Sequence, residues 1–212
     1  MTETIVYLIR HSEPTPMMNV NIINCKDNNQ VLNEKRILSV SGEKRAEELS
    51  KKEELQNIDS VYSSSYVRAL ETAKYIALEN NTKINIDERL NERKIGDLKG
   101  ITNEEFEKIQ TKNFDFKLDG GESLNQTKKR MVEAMKSILM FETGNKVAIV
   151  THATAMTCLL SSWCEIGHNY DDEIILTFND ETIVDGSFTA PHVFKIIFEG
   201  MNVKSIEYLN IV

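Results

Sequence analysis

The chain has 212 residues, 41% of them hydrophobic and 27% charged, with a formal net charge of −8. This suits one globular α/β domain over residues 1–212 and excludes a disordered or fibrous chain. The acidic balance argues against an extended nucleic-acid surface but not against a small anion pocket, which a few local cations can dominate. Acidic Glu3 ahead of a short apolar run is neither a cationic leader nor a bilayer span, so no membrane association and a cytoplasmic location are expected. Cys25, Cys158 and Cys164 form no Cys-x-x-Cys pair and suit a reducing compartment.

Taken in order, Ile5 to Ile9 is a buried strand that ends abruptly in Arg10, His11 and a loop marked by Pro14. The asparagine-rich stretch Asn19 to Asn33 is expected to be a long loop bordering the site. Ser39 or Ser41 then starts a charged helix running to about Leu55, and Ile58 to Tyr62 is the next strand. A serine of Ser63-Ser64-Ser65 is expected to cap the following helix, where Val67, Leu70 and Ile76 recur at helical spacing and Arg68 falls in the first turn. Lys83 to Asp87 resembles a short strand, and Leu90 to Gly100 is a loop punctuated by glycines.

Thr102 or Asn103 caps a helix through about Gln110, and Ser123 with Gln126 makes a capping box for the helix after Asp119-Gly120-Gly121-Glu122. Leu124, Met131, Met135 and Ile138 mark its buried face, and Gly144 ends it. Val147 to Val150 is the cleanest buried strand; it runs into Thr151-His152 and a helix over Ala153 to Trp163. From Ile174 to Val212 the pattern predicts edge hairpins. Val147 to Phe194 carries acidic residues but neither lysine nor arginine, a solvated acidic face without a metal-ligand spacing. His168 and His192 are expected to be structural or exposed.

Two strands that each deliver a histidine at their carboxyl ends place both imidazoles on one edge of a parallel sheet, where ligands bind. An arginine at a helix start adds its charge to the unpaired N–H groups there, completing an anion site. Singly, each feature has a plainer explanation: a strand-end histidine is usually structural, and a helical arginine usually solvated.

Together, Leu8-Ile9-Arg10-His11, Ser64 with Arg68-Ala69 and Thr72-Ala73, Leu90-x-Glu92 with Gly96 and Gly100, Gly120-Gly121-Glu122-Ser123, and Val150-Thr151-His152 resemble the histidine phosphatase, or phosphoglycerate mutase-like, superfamily. The resemblance implies a three-layer α/β/α sandwich with a mostly parallel central sheet. It also implies a phosphohistidine mechanism needing neither metal nor other cofactor. By it His11 is the nucleophile, Arg10, Arg68 and His152 surround the phosphoryl oxygens, the backbone amide of Ala153 meets phosphate, and Glu92 is the proton donor. A neutral imidazole is a competent nucleophile, and guanidiniums fork onto a phosphoryl group.

The chain departs from the family pattern in Ser12 after the histidine, in Pro14 to Asn19, and in Ala153-Thr154 where glycines are common. Ser12 and Asn19 therefore stay outside the site set. Ile101 to Leu118 holds only Lys108, Lys112 and Lys117 as cations and no proline, unlike the longer arginine-bearing insertion of cofactor-dependent mutases. Hydrolysis of a small phosphorylated metabolite is expected, with a phosphoglycerate-type mutase as the alternative. A silent phospho-ligand or protein-binding module comes third, because His11 and Glu92 are both present. Selectivity should come from Met17 to Lys35 and Ile101 to Leu118, and an edge hairpin or the acidic lobe offers a surface for a homodimer.

Overall fold

The computed structural model describes residues 2–16, 28–186 and 188–211. Strand β1 (Glu3–Arg10) leads to helices α1 (Asn28–Lys35) and α2 (Val40–Ser50), then β2 (Ser60–Ser63), α3 (Val67–Glu79) and β3 (Ile84–Ile86). Helices α4 (Asn103–Lys112) and α5 (Leu124–Phe141) precede β4 (Lys146–Thr151) and α6 (Ala153–Leu160). The remainder is β5 (Glu165–His168), β6 (Ile174–Phe178), β7 (Glu181–Asp185), β8 (His192–Glu199) and β9 (Asn202–Leu209).

The central sheet has six strands in the order β3-β2-β4-β1-β8-β9. β3, β2, β4 and β1 run parallel, whereas β8 and β9 are antiparallel additions. Alternation along the two innermost parallel strands builds the layers, since successive side chains point to opposite faces. Val6 and Leu8 of β1 with Val147 and Ile149 of β4 pack against Met131, Met135 and Ile138 of α5 and Met156 and Leu159 of α6. Tyr7, Ile9, Ala148 and Val150 face the other way, onto Leu49 of α2 and Ala69, Ala73 and Ile76 of α3. Both faces are covered, so these strands read as continuous apolar runs and the fold is the three-layer sandwich. Among the described residues no helix is long and apolar enough to cross a membrane.

Register carries the strand ends to a common edge. Arg10 lies beside Thr151 on β4 and opposite His192 on β8, while Ser63 lies beside Val150. Capping boxes form at Thr102 with Glu105 and at Ser123 with Gln126, and Ser39 caps α2.

Several elements differ from the sequence pattern. Part of the expected loop is helix α1, which has no apolar stripe to betray it and is held by tertiary bonds such as Gln30 Nε2 to Tyr66 Oη at 2.6 Å. Asn19, Cys25 and the rest of 17–27 lie outside the described residues. α2 stops at Ser50, and Glu53–Leu55 is a single 3₁₀ turn. No serine caps α3: Tyr66 is its N-cap, and Ser64 is taken up by the site. α6 ends at Leu160, short of Trp163. The C-terminal strands are not all edge hairpins, for β8 is interior, paired with β1 and β9. β6 and β7 join the unforeseen β5 in a separate antiparallel sheet.

α2 touches the loop after His11 through Gly42. A Cβ there would stand 1.9 Å from the Glu13 carbonyl oxygen. Gly42→Ala is therefore expected to push α2 off this loop and cost about 1–3 kcal/mol, lowering Tm by about 2–12 °C in a thermal melt. An unchanged Tm would show that the contact relaxes freely.

Candidate active site

β1 carries its pairing one residue past its end, with His11 N donating to the Thr151 carbonyl at 2.9 Å. This delivers the His11 side chain, only 5% exposed, beside the end of β4. Its Nδ1 lies 2.7 Å from the Ser12 carbonyl oxygen. A carbonyl only accepts, so Nδ1 carries the proton and Nε2 keeps its lone pair. Nε2 accepts from Arg68 Nε at 3.0 Å. Ser12 is itself locked, its N–H donating to Thr72 Oγ1 at 3.0 Å and its Oγ to the Gly42 carbonyl at 2.7 Å. Burial holds the His11 pKa well below the usual histidine value, and the charges of Arg68, Arg10 and Arg36 add to the effect.

His152 ends β4 and is the N-cap residue of α6. Its ring meets that of His11 edge-on, with centroids 5.0 Å apart, and it is fully buried. The hydrogen-bond network assigns its tautomer. Asn91 Oδ1 accepts from Ser64 Oγ at 2.8 Å and from Ser65 N at 2.9 Å. Having given its proton to Asn91, Ser64 Oγ accepts from His152 Nε2–H at 2.8 Å. The lone pair therefore sits on Nδ1, which is buried and has no partner among the described residues. An unmet acceptor in such a place is costly and marks where a ligand's proton would go. Burial first, then the neighbouring His11 and Arg68, hold His152 well below the usual histidine range.

Arg68, in the first turn of α3, is 4% exposed, lies over the Tyr66 ring at 5.1 Å and donates Nη1 to the Asn33 carbonyl of α1. Burial pushes it down to about 10, which leaves it cationic at neutral pH. Arg10 donates Nη1 to the carbonyls of Phe188 and Thr189, the latter at 3.2 Å, and its buried Nε has no partner among the described residues.

Glu92 follows a 3₁₀ turn at Glu88–Leu90, which Thr151 Oγ1 ties to β4 through the Leu90 carbonyl at 2.7 Å. Its Oε1 accepts from Arg93 N at 2.8 Å and Ala155 N at 3.0 Å, and its Oε2 from Thr154 N at 3.2 Å. The carboxylate thus caps the start of α6, next to His152, and its charge acts on both Arg10 and Arg68.

The structure therefore brings Arg10, His11, Arg68, Glu92, His152 and Ala153 to one sheet edge. Sequence reasoning missed the supporting residues Asn91 and Arg36 and placed Thr72 in a motif without giving it a role. Arg36 bonds through Nε to the Thr15 carbonyl and lends its charge to the His11 surroundings. Nothing in periodicity signals it, whereas Asn91 sits in the Leu90-x-Glu92 motif. A cavity of about 670 Å³ adjoins the cluster, lined near it by Arg10, Ala153, Thr154 and Phe188 and farther out by Leu124 and Ile174. Among the described residues no group of three or more His, Cys, Asp or Glu side chains is placed to hold a metal ion.

The profile of the histidine phosphatase superfamily (branch 1) matches residues 6–182. The chain belongs to this superfamily. It is 31% identical over 166 residues to a probable phosphoglycerate mutase GpmB of Serratia proteamaculans, covering 74% of this chain and 73% of that one. Among solved structures it resembles Bacillus stearothermophilus YhfR, at 25% identity and TM-score 0.66 over 94% of each chain. Its fold is also that of a mycobacterial glucosyl-3-phosphoglycerate phosphatase, at 18% identity and TM-score 0.67, covering 98% of this chain and 96% of that one.

The two depressed histidines link this superfamily site to stability. As pH falls below about 6.5, the unfolded chain binds protons at both imidazoles while the folded chain does not. Each then removes up to about 1.4 kcal/mol per pH unit until its folded pKa is reached. Denaturant unfolding is expected to show stability falling from pH 7 to 5.5, with the His11 and His152 ring signals in NMR titrating below 6.5. Ring midpoints at or above 6.5 would contradict this depression by burial.

Proposed function

We propose that the protein is a metal-independent phosphomonoesterase acting on a small phosphorylated metabolite through a phosphohistidine on His11. The observation that carries this reading is the unprotonated Nε2 of a buried, neutral His11, held toward Arg68 Nε–H, beside an unmet His152 Nδ1.

In the first step the Nε2 lone pair forms a bond to phosphorus while the bond from phosphorus to the ester oxygen breaks. Glu92, as the carboxylic acid, gives its proton to the departing oxygen, so an alcohol leaves. Arg10 and Arg68 exchange their carbonyl partners for phosphoryl oxygens, with which charge-assisted bonds are stronger. His152 accepts at Nδ1 the proton of a monoanionic phosphoryl group, and the Ala153 amide is available beside it. In the second step water attacks phosphorus, Glu92 takes the proton of that water, the bond to nitrogen breaks and inorganic phosphate leaves. The work is positioning and electrostatic stabilisation by cations on the chain itself. Cys158 is no rival nucleophile: it is buried, and burial pushes its thiol up to about 12.

Hydrolysis is favoured over exchange by the use made of the nearby lysines. Lys108 pairs with Glu104 at 2.8 Å and Lys112 with Asp172 at 2.7 Å, so both are engaged rather than free to hold a second phosphate. A phosphoglycerate-type mutase is the second reading, motivated by the similarity to the probable phosphoglycerate mutase GpmB of Serratia proteamaculans.

Incubated with 4-nitrophenyl phosphate and excess chelator, the protein is expected to release phosphate, and His11→Ala to reduce release to background. Rapid quenching should trap an acid-labile, base-stable phosphoryl label that this variant lacks. Phosphoglycerate with catalytic bisphosphoglycerate should yield free phosphate; positional exchange without it would favour the mutase. Turnover by His11→Ala at the normal rate would eliminate the mechanism, and absence of any phosphoenzyme would favour the silent module.

A further inference from the structure

Glu92 sits on a loop, and a proton donor works only if its position is held against the leaving oxygen. The amides of Arg93, Thr154 and Ala155 hold its carboxylate, and a separate clamp holds the loop that carries it. Arg130, projecting from α5, is largely buried and reaches both the loop and its neighbour. Its Nη1 donates to the carbonyls of Arg89 at 2.8 Å and Asn91 at 2.6 Å, bracketing the approach to Glu92 from the N-terminal side. Its Nε and Nη2 fork onto Glu122, at 2.7 Å to Oε1 and 2.8 Å to Oε2. This bidentate arrangement fixes orientation as well as charge.

Glu122 closes the other side. Its Oε2 accepts from Lys94 N at 3.0 Å and its own N–H donates to the Lys94 carbonyl at 2.8 Å. The loops are in backbone contact just beyond: a Cβ on Gly121 would stand 2.3 Å from the Ile95 carbonyl oxygen, and one on Gly96 2.6 Å from that of Asp119. Between these anchors Arg93 is buried, its Nη1 donating to Gln110 Oε1 and its guanidinium lying over Phe106 at 4.8 Å. Gln110 Nε2 returns a bond to the Glu122 carbonyl at 2.8 Å. Residues on both sides of Glu92 are thus tied to one carboxylate–guanidinium pair, while the Glu92 side chain itself touches neither member of it.

We propose that Glu122 and Arg130 are positioning residues for proton donation by Glu92, and that the enzyme's ability to cleave esters of poorly acidic alcohols depends on this clamp. The proposal rests on the reading of Glu92 as the acid. An ester of an acidic phenol leaves without much help from a proton, whereas an alkoxide does not. Loosening the clamp therefore penalises alkyl phosphates selectively. A displacement of about 1 Å at a catalytic group costs on the order of 100-fold.

The test compares kcat/KM for 4-nitrophenyl phosphate and for glycerol 1-phosphate, a ratio that excludes the later hydrolysis of phosphohistidine. Glu92→Gln is the reference, and Arg130→Ala, Arg130→Lys and Glu122→Gln are the test variants. Arg130→Lys keeps the charge that acts on His152 and carries the test if Arg130→Ala does not fold. Each test variant is expected to lose about 10–100-fold on the alkyl ester, against less than about 3-fold on the aryl ester. Glu92→Gln should show the same split, more strongly. A split in Glu92→Gln with parallel losses, or none, in the clamp variants overturns the clamp alone. Parallel losses in Glu92→Gln overturn the acid reading and the clamp's role with it.

Discussion

A single bond, from His11 Nδ1–H to the Ser12 carbonyl, is the constraint on which the site depends. It decides which nitrogen holds the lone pair, and everything around it keeps that choice from changing. Ser12 is pinned by Thr72 and Gly42, so its carbonyl does not swing away. Arg68 approaches the opposite nitrogen as a donor, an arrangement compatible only with a lone pair there. Burial opposes protonation. A cationic imidazole would find guanidiniums facing it in a buried setting that screens them poorly. Geometry, desolvation and charge all favour the same protonation state.

Backbone carbonyls hold both arginines of the site. Arg10 and Arg68 are parked on carbonyls of segments far apart in sequence, Phe188 and Thr189 in one case and Asn33 in the other. A buried guanidinium without acceptors would be costly, and a fixed carboxylate partner would compete with an incoming phosphoryl group. Neutral carbonyl dipoles avoid both problems. The carboxylate that is present, Glu92, is occupied by amides at the start of α6 instead of by the arginines.

How much of this was legible in the sequence depends on whether a feature is local. The apolar runs ending in Arg10-His11 and Thr151-His152 announce themselves because a strand buried on both faces is apolar throughout, and the Ser123–Gln126 capping box was visible because its partners lie three residues apart. The six residues expected at the site converge because register is set by those same runs. α1 was hidden because nothing in its own composition stabilises it; its bonds go to Tyr66 and Arg68. Ser64 looked like a helix cap, as serines before helices usually do, but two partners distant in sequence, Asn91 and His152, claim its hydroxyl. β8 looked like an edge because alternation does not reveal which strand lies alongside.

That last placement has a consequence for how the molecule comes into being. β1 is flanked by β4 on one side and by β8 on the other, with Arg10 against Thr151 and His192. Neither neighbour exists when β1 leaves the ribosome, since β4 begins only at Lys146 and β8 at His192. The strand that presents His11 must therefore wait, half paired, for β8. Such distant pairings slow folding because the entropy of closing long loops comes due before the contacts reward it. The cluster around His11 therefore assembles fully only in a chain that already includes β8.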